Sequence, residues 1–182
     1  MDALAGMQLL HDGPPTHDAT LALTRAILHT NAHIAPVDAL QLAATAVRAA
    51  RDRGIAPEFF GATLLQESAF DPLALSSAGA VGIAQFMPGT ADAAGVDPYD
   101  PFDAIAGAAT LLASYVRAYR GVYADPYAAA LAAYNAGPGA VSFYRGVPPY
   151  PETHAYIGDI YERWAQIAGY EGSGASPRIG AK

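Results

Sequence analysis

The sequence predicts a mostly α-helical protein built as one globular domain. Proline and Asp-Pro pairs recur ahead of apolar runs and glycine recurs behind them, the arrangement that opens and closes helices. Hydrophobic residues make up 52% of the chain against 15% charged, with mean hydropathy +0.15, a balance that excludes disorder. At 182 residues the chain buries a substantial core without a second domain.

Each element follows from this punctuation. Asp18 reads as the N-cap of a helix through about Asn31. Pro36 opens a second, with Val37, Leu40, Ala44 and Val47 on one face and Gly54 as its stop. Pro57 opens a third, in which Phe60, Leu64 and Leu65 recur at helical spacing toward Glu67. Periodicity then stops: Asp71 to Phe86 is rich in serine and glycine and reads as a loop holding a brief strand pair. A short helix follows Pro88 and closes at Gly95. Asp100-Pro101 caps the longest helix, striped by Ile105, Leu112, Tyr115 and Tyr119 and closed by Gly121. Asp125-Pro126 opens another that ends at Gly137, and Pro138 begins a short one. Glu152 to Ala168 is the last, with Gly169 behind it. The reading is seven or eight helices around one irregular loop, in a domain over residues 18–170, with a flexible segment over 1–17 and a disordered tail from Glu171.

Composition removes several function classes. With no cysteine, neither a disulfide framework nor a cysteine–zinc site is available. Ten basic against 17 acidic residues give a net charge of -7, the wrong sign for a nucleic-acid partner. Two uncharged stretches, Pro72 to Ala91 and Pro126 to Tyr144, have the length of a membrane span, but internal proline and glycine break both. Met1 to Pro15 carries Asp2, His11 and Asp12 where an export signal would have lysines and a long apolar run.

Among candidate chemistries, His29 and His33 are spaced i, i+4 on the first predicted helix, but no third ligand lies near, so no metal and no cofactor is expected. No serine sits in a glycine-flanked elbow, and no lysine or arginine follows Gly79 and Gly82 as a phosphate loop requires. Glu67 differs. It closes the apolar run Ala62-Thr63-Leu64-Leu65-Gln66 in a chain with five glutamates. A helix C-terminus repels negative charge and burial disfavours it further, so both push a carboxyl there toward its protonated form. That is what a general acid for glycosidic cleavage needs. On these grounds alone, an exposed helix-end glutamate and a catalytic acid are both open.

The residues around Glu67 decide between them. The segment from Glu67-Ser68-Ala69-Phe70 through Ser76-Ser77-Ala78-Gly79-Ala80-Val81-Gly82-Ile83-Ala84-Gln85-Phe86-Met87-Pro88 to Ala91 resembles the signature of the soluble lytic transglycosylase family, lysozyme-like enzymes that cut bacterial peptidoglycan. Ala130 to Val141, containing Tyr134-Asn135-Ala136-Gly137-Pro138-Gly139, is similar to the family's downstream motif. Pro151-Glu152-Thr153 with Tyr156 is a weaker match, and Asp100 to Ile105 is similar to the run before the family's long helix. The resemblance spans Pro57 to Trp164. It implies a lysozyme-like fold with Glu67 as the single catalytic acid and base. It also implies a Ser76 hydroxyl near that carboxylate, Gln85 and Met87 lining the glycan groove, Tyr134 and Asn135 on the opposite wall, and Glu152 and Tyr156 at its border. Read as residues alone, Tyr115 and Tyr119 fit a core role, Gln85 a loop hydrogen bond and Asn135 a helix C-cap. Ile83-Ala84 replaces the leucine-methionine pair of many members.

The implied reaction is non-hydrolytic. Glu67 protonates the glycosidic oxygen, and its carboxylate then takes the proton from the muramoyl O6, which closes a 1,6-anhydro ring. Most glycosidases use two carboxylates; the one nearest in sequence, Asp71, stands in an Asp-Pro turn. The alternatives are a goose-type muramidase that adds water at the same bond, or a catalytically weak peptidoglycan-binding component of a phage particle or secretion apparatus. The implied partner is the glycan strand and the implied location the periplasm or envelope. Without a leader, the route there would be a processed form, a phage particle, a holin or a dedicated secretion apparatus.

Overall fold

A computed structural model describes residues 18–169. The expected flexible segment over 1–17 and the tail from Glu171 lie outside the described residues. Eight helices are present among those described: α1 (Ala19–Thr30), α2 (Pro36–Asp52), α3 (Pro57–Ser68), α4 (Pro88–Ala94), α5 (Pro101–Tyr119), α6 (Pro126–Ala136), α7 (Pro138–Tyr144) and α8 (Pro151–Ile167). This is the mostly helical, single-domain arrangement that the punctuation predicts.

The caps explain the agreement. The Asp18, Asp100 and Asp125 carboxylates accept from backbone N–H groups in the first turns of α1, α5 and α6, satisfying donors that a helix start leaves free. Proline occupies the first turn of every helix from α2 to α8, where its missing N–H costs nothing. Tyr161 adds a lateral tie by donating its hydroxyl to both Asp125 oxygens, at 3.0 and 2.9 Å.

At the centre lies α3, in which every residue from Phe59 to Leu65 is buried. A helix that is apolar all round must be enclosed, and α1, α2 and α8 surround it. Gly61 is where α1 comes closest: a Cβ there would stand 2.6 Å from Leu23 Cδ1. Phe59 packs its ring against Tyr127 and Trp164, each at 5.0 Å between centroids, which joins α3 to α6 and α8.

One predicted face was misplaced. Val37, Leu40 and Ala44 of α2 are exposed, and only Val47 of that set is buried. The helix packs instead through Ala39, Leu42, Ala43, Ala46, Ala49 and Ala50. Small residues permit close helix approach, so a count weighted toward bulky side chains selects the wrong side. On α5, Ile105 and Leu112 are buried as expected, while Tyr115 and Tyr119 are half-buried and stacked at 6.1 Å.

No helix among the described residues is long and apolar enough to cross a membrane. The stretch after α3 contains no extended sheet; Leu75 pairs with Val81 and Val81 with Phe86 as isolated antiparallel bridges. Ala69 and Phe70 are consecutive non-glycine residues in the left-handed region, at φ 53° and 60°. That costs about 1–2 kcal/mol per residue. Complete burial of the Phe70 ring, worth about 2–3 kcal/mol, offsets part of it. The Asn31 amide adds a bond to the Ala69 carbonyl at 3.2 Å. The chain thus turns sharply directly behind Glu67.

Candidate active site

Glu67 stands one residue before the end of α3, only partly exposed. Its neighbour on α8, Tyr156, is buried and donates its hydroxyl to Glu67 Oε1. Burial lifts the Glu67 carboxyl from its ordinary 4.5 to about 7, and the Tyr156 hydrogen bond, which favours the anion, opposes the rise without cancelling it. Desolvation outweighs that single hydrogen bond because Glu67 stands just behind the enclosed run Phe59 to Leu65. The same burial, reinforced by the nearby carboxylate, holds the Tyr156 and Tyr134 hydroxyls well above the usual tyrosine range, so both remain donors.

The loop is tied to the end of α3 and to α6 by hydrogen bonds to its backbone. Ser68 Oγ donates to the Ile83 carbonyl at 2.7 Å and the Tyr134 hydroxyl donates to the Ala84 carbonyl at 2.9 Å. Ile83 and Ala84 are fully buried. The dipeptide that departs from the family pattern therefore meets α3 and α6 through main-chain oxygens. Gly82 has φ +73°, and a Cβ on it would fall 2.2 Å from the Pro98 carbonyl oxygen. Gln85 follows at φ 50°, and its Nε2 donates to the carbonyls of Gly82 at 2.9 Å and Ala74 at 3.3 Å. Its amide nitrogen thus braces the loop.

The other expected site residues fall as follows. Ser76 accepts from the Ala80 N–H at 2.9 Å inside its own turn and makes no hydrogen bond to Glu67. Met87 is exposed at the N-cap of α4. Asn135 lies within α6, whose C-cap is Gly137, so capping does not explain it. Its Oδ1 accepts from the buried Thr153 hydroxyl at 2.8 Å, while the residue as a whole is exposed. Glu152 is exposed in the first turn of α8, where the helix dipole favours an anion. Glu67, Tyr134 and Tyr156 share one electrostatic neighbourhood, and Asn135 joins it through α8. The roles of Ser68 and Thr153 escaped the sequence reading, because their partners lie 15 and 18 residues away and no spacing rule connects them.

Asp71 stands in the turn that the sequence implies, where its Oδ1 accepts from the Leu73 N–H at 2.9 Å. His33 lies beyond the end of α1, so it shares no helical face with His29. No group of three metal-ligating side chains occurs among the described residues. Two surface cavities, of about 430 and 340 Å³, lie elsewhere and are not lined by Glu67.

These features define a helical domain with a half-buried carboxylic acid at the end of its central helix, bonded to a tyrosine hydroxyl and followed by a tightly tied loop. The sequence model of the transglycosylase SLT domain family matches residues 44–156, and the chain belongs to that family. Among solved structures it is similar to the 70 kDa soluble lytic transglycosylase of Escherichia coli, with TM-score 0.62 and 25% identity, over 85% of this chain and 30% of that one. It is also similar to an inactive mutant of the lytic transglycosylase Slt of Pseudomonas aeruginosa, with TM-score 0.54 and 28% identity, over 68% of this chain and 23% of that one. The chain therefore spans less than a third of the length of either enzyme.

Proposed function

We propose that the protein is a peptidoglycan lytic transglycosylase acting in the cell envelope, cleaving the β-1,4 bond between N-acetylmuramoyl and N-acetylglucosaminyl residues. The carrying observation is the Glu67 carboxyl, held near 7 by burial with a tyrosine hydroxyl as its direct partner. In the proposed cycle Glu67 donates its proton to the glycosidic oxygen as the bond breaks. The resulting carboxylate, which the Tyr156 hydroxyl stabilises, then accepts the proton of the muramoyl O6 as that oxygen attacks the anomeric carbon. The substrate's 2-acetamido group supplies the stabilisation that a second carboxylate gives other glycosidases. Tyr134, Asn135, Met87 and Glu152 supply the walls of the groove, and Gln85 and Ser76 hold the loop that forms its floor. Family membership supports this reading, as does the likeness to two lytic transglycosylases.

The acid form of Glu67 is the one that starts the cycle. Lysis is therefore expected to be full below about pH 6 and to fall tenfold per pH unit above about 7, as the carboxyl ionises. A turbidity assay on purified walls across pH 5–9 (roughly, bracketing the operating range of such an acid) measures this. A profile that keeps rising through pH 8 would contradict an acid role.

The product separates this reading from a hydrolase. Intramolecular attack by O6 leaves a 1,6-anhydro end that borohydride does not reduce, whereas attack by water leaves a reducible end. The ring closure benefits from an effective molarity that reaches about 10⁵ M or more in well-oriented systems. Mass spectrometry of muropeptides after digestion is expected to show anhydro ends, lighter by one water. A digest made mainly of reducible muropeptides would make the protein a muramidase instead.

A further inference from the structure

Beyond the groove, one surface feature has no role in the reaction. Phe143 and Tyr144 close α7, and Tyr150 precedes α8. Their exposures are 78%, 42% and 40%, so three aromatic rings stand together in solvent. They are ordered against one another: Phe143 meets Tyr144 edge-on at 4.9 Å, and Tyr144 meets Tyr150 edge-on at 5.6 Å. Ring–ring contacts fix the orientation of the faces that remain open. Contiguous exposed apolar surface on a soluble protein marks a place where something binds. Phenol rings, apolar on the face and polar at the tip, suit a partner that is itself amphipathic.

The position names the partner. Tyr150 is the N-cap of the helix that carries Glu152, Thr153 and Tyr156, and Tyr156 bonds Glu67. Six residues of helix rise about 9 Å, so along the axis of α8 the backbone of Tyr150 stands only that far from the residue that bonds Glu67. Thr153 also ties this end of α8 to Asn135, on the opposite wall of the same groove. No lysine or arginine other than Arg145 lies between Phe143 and Pro151, so a polyanion finds little to hold there.

We propose that Phe143, Tyr144 and Tyr150 form a stacking platform for pyranose rings, an outer subsite for a strand that runs on from the Glu67 groove. This rests on the glycan-cleaving reading above and deepens it by assigning where the distal sugars are held.

The test is the dependence of affinity on chain length. In the full chain carrying Glu67→Gln, which prevents turnover, calorimetric titration with β-1,4-linked N-acetylglucosamine dimers and hexamers gives the reference. Adding Tyr144→Ala or Tyr150→Ala is expected to weaken hexamer binding by about fivefold to tenfold while changing dimer binding less than about twofold. Tyr150→Phe, which keeps the ring, is expected to bind the hexamer within about twofold of the reference. Equal losses for dimer and hexamer, no loss for either, or a Tyr150→Phe variant as weak as Tyr150→Ala would each overturn the platform. Length-dependent binding through these rings would stand even if Glu67 proved dispensable for lysis. Lysis by Glu67 without any length effect would remove the platform alone.

Discussion

Replacing Glu67 by glutamine is expected to abolish wall lysis while making the folded protein more stable at alkaline pH. The catalytic loss follows from removing the one proton the site can deliver, since general acid–base catalysis contributes about 10²–10⁴-fold and Asp71 is engaged in its turn. The stability gain follows from the same burial that makes the acid useful. A carboxyl held near 7 in the folded chain and near 4.5 when unfolded favours folding only while protonated. That contribution is complete below about 4.5 and disappears as pH rises through about 7. Above that window the buried anion costs the wild type roughly 3 kcal/mol, and glutamine, which is neutral at every pH, escapes the penalty. Urea unfolding at pH 8 and at pH 4 measures both limits. The variant should be the more stable at pH 8 and close to wild type at pH 4, with zymography on wall gels reporting the activity. A folded Glu67→Gln variant that clears the gel would remove Glu67 from the mechanism. An equal stability difference at both pH values would mean that the carboxyl is not buried as described.

Gly82→Ala is expected to destabilise the protein by about 3 kcal/mol, combining left-handed backbone strain with overpacking. The added Cβ has no free space, because it meets a main-chain oxygen of Pro98 at 2.2 Å and not the end of a flexible side chain. Relief requires the loop to move, and the loop's own bonds resist: the Gly82 N–H donates to Ala74 at 2.8 Å and its carbonyl holds the Gln85 amide. Lysis should fall along with stability, since the carbonyls of Ile83 and Ala84 would leave Ser68 and Tyr134. Chemical unfolding together with wall turbidity measures both, and a loss below about 1 kcal/mol, the strain of the backbone conformation by itself, would show that Pro98 yields.

Helix boundaries were legible because they are written in local chemistry. Asp18, Asp100 and Asp125 cap within three residues of their partners, and each proline acts on its own turn. The inward face of α2 was not legible, since alanine registers weakly in any hydrophobic count although it decides how near two helices lie. Glu67 could be picked out as a buried helix-end acid, but its hydrogen-bond partner could not, because Tyr156 is 89 residues away and reaches it only once α8 lies on α3. For Ser76 the resemblance implies a place near the acid, and the bond its hydroxyl accepts from the Ala80 N–H could not be read from the sequence. The aromatic group at 143–150 left a trace in the sequence, as bulky rings on either side of Gly146, Pro148 and Pro149, but its exposure and mutual geometry are properties of the folded chain alone.

Alanine has a further effect on this molecule. α6 presents Ala128, Ala129, Ala130, Ala132 and Ala133 to its surroundings, and it rests on α5, α7 and α8. α5 answers with Ala104, Ala108, Ala109 and Ala113. Tyr134 and Asn135 ride at the end of α6, while Glu67 belongs to α3, which leans on the same α8. The position of Tyr134 and Asn135 relative to Glu67 is consequently gauged by buried methyl groups. Exchanging one of them for valine would push α6 off a neighbouring helix and move Tyr134 relative to Glu67, with both of those side chains left as they were.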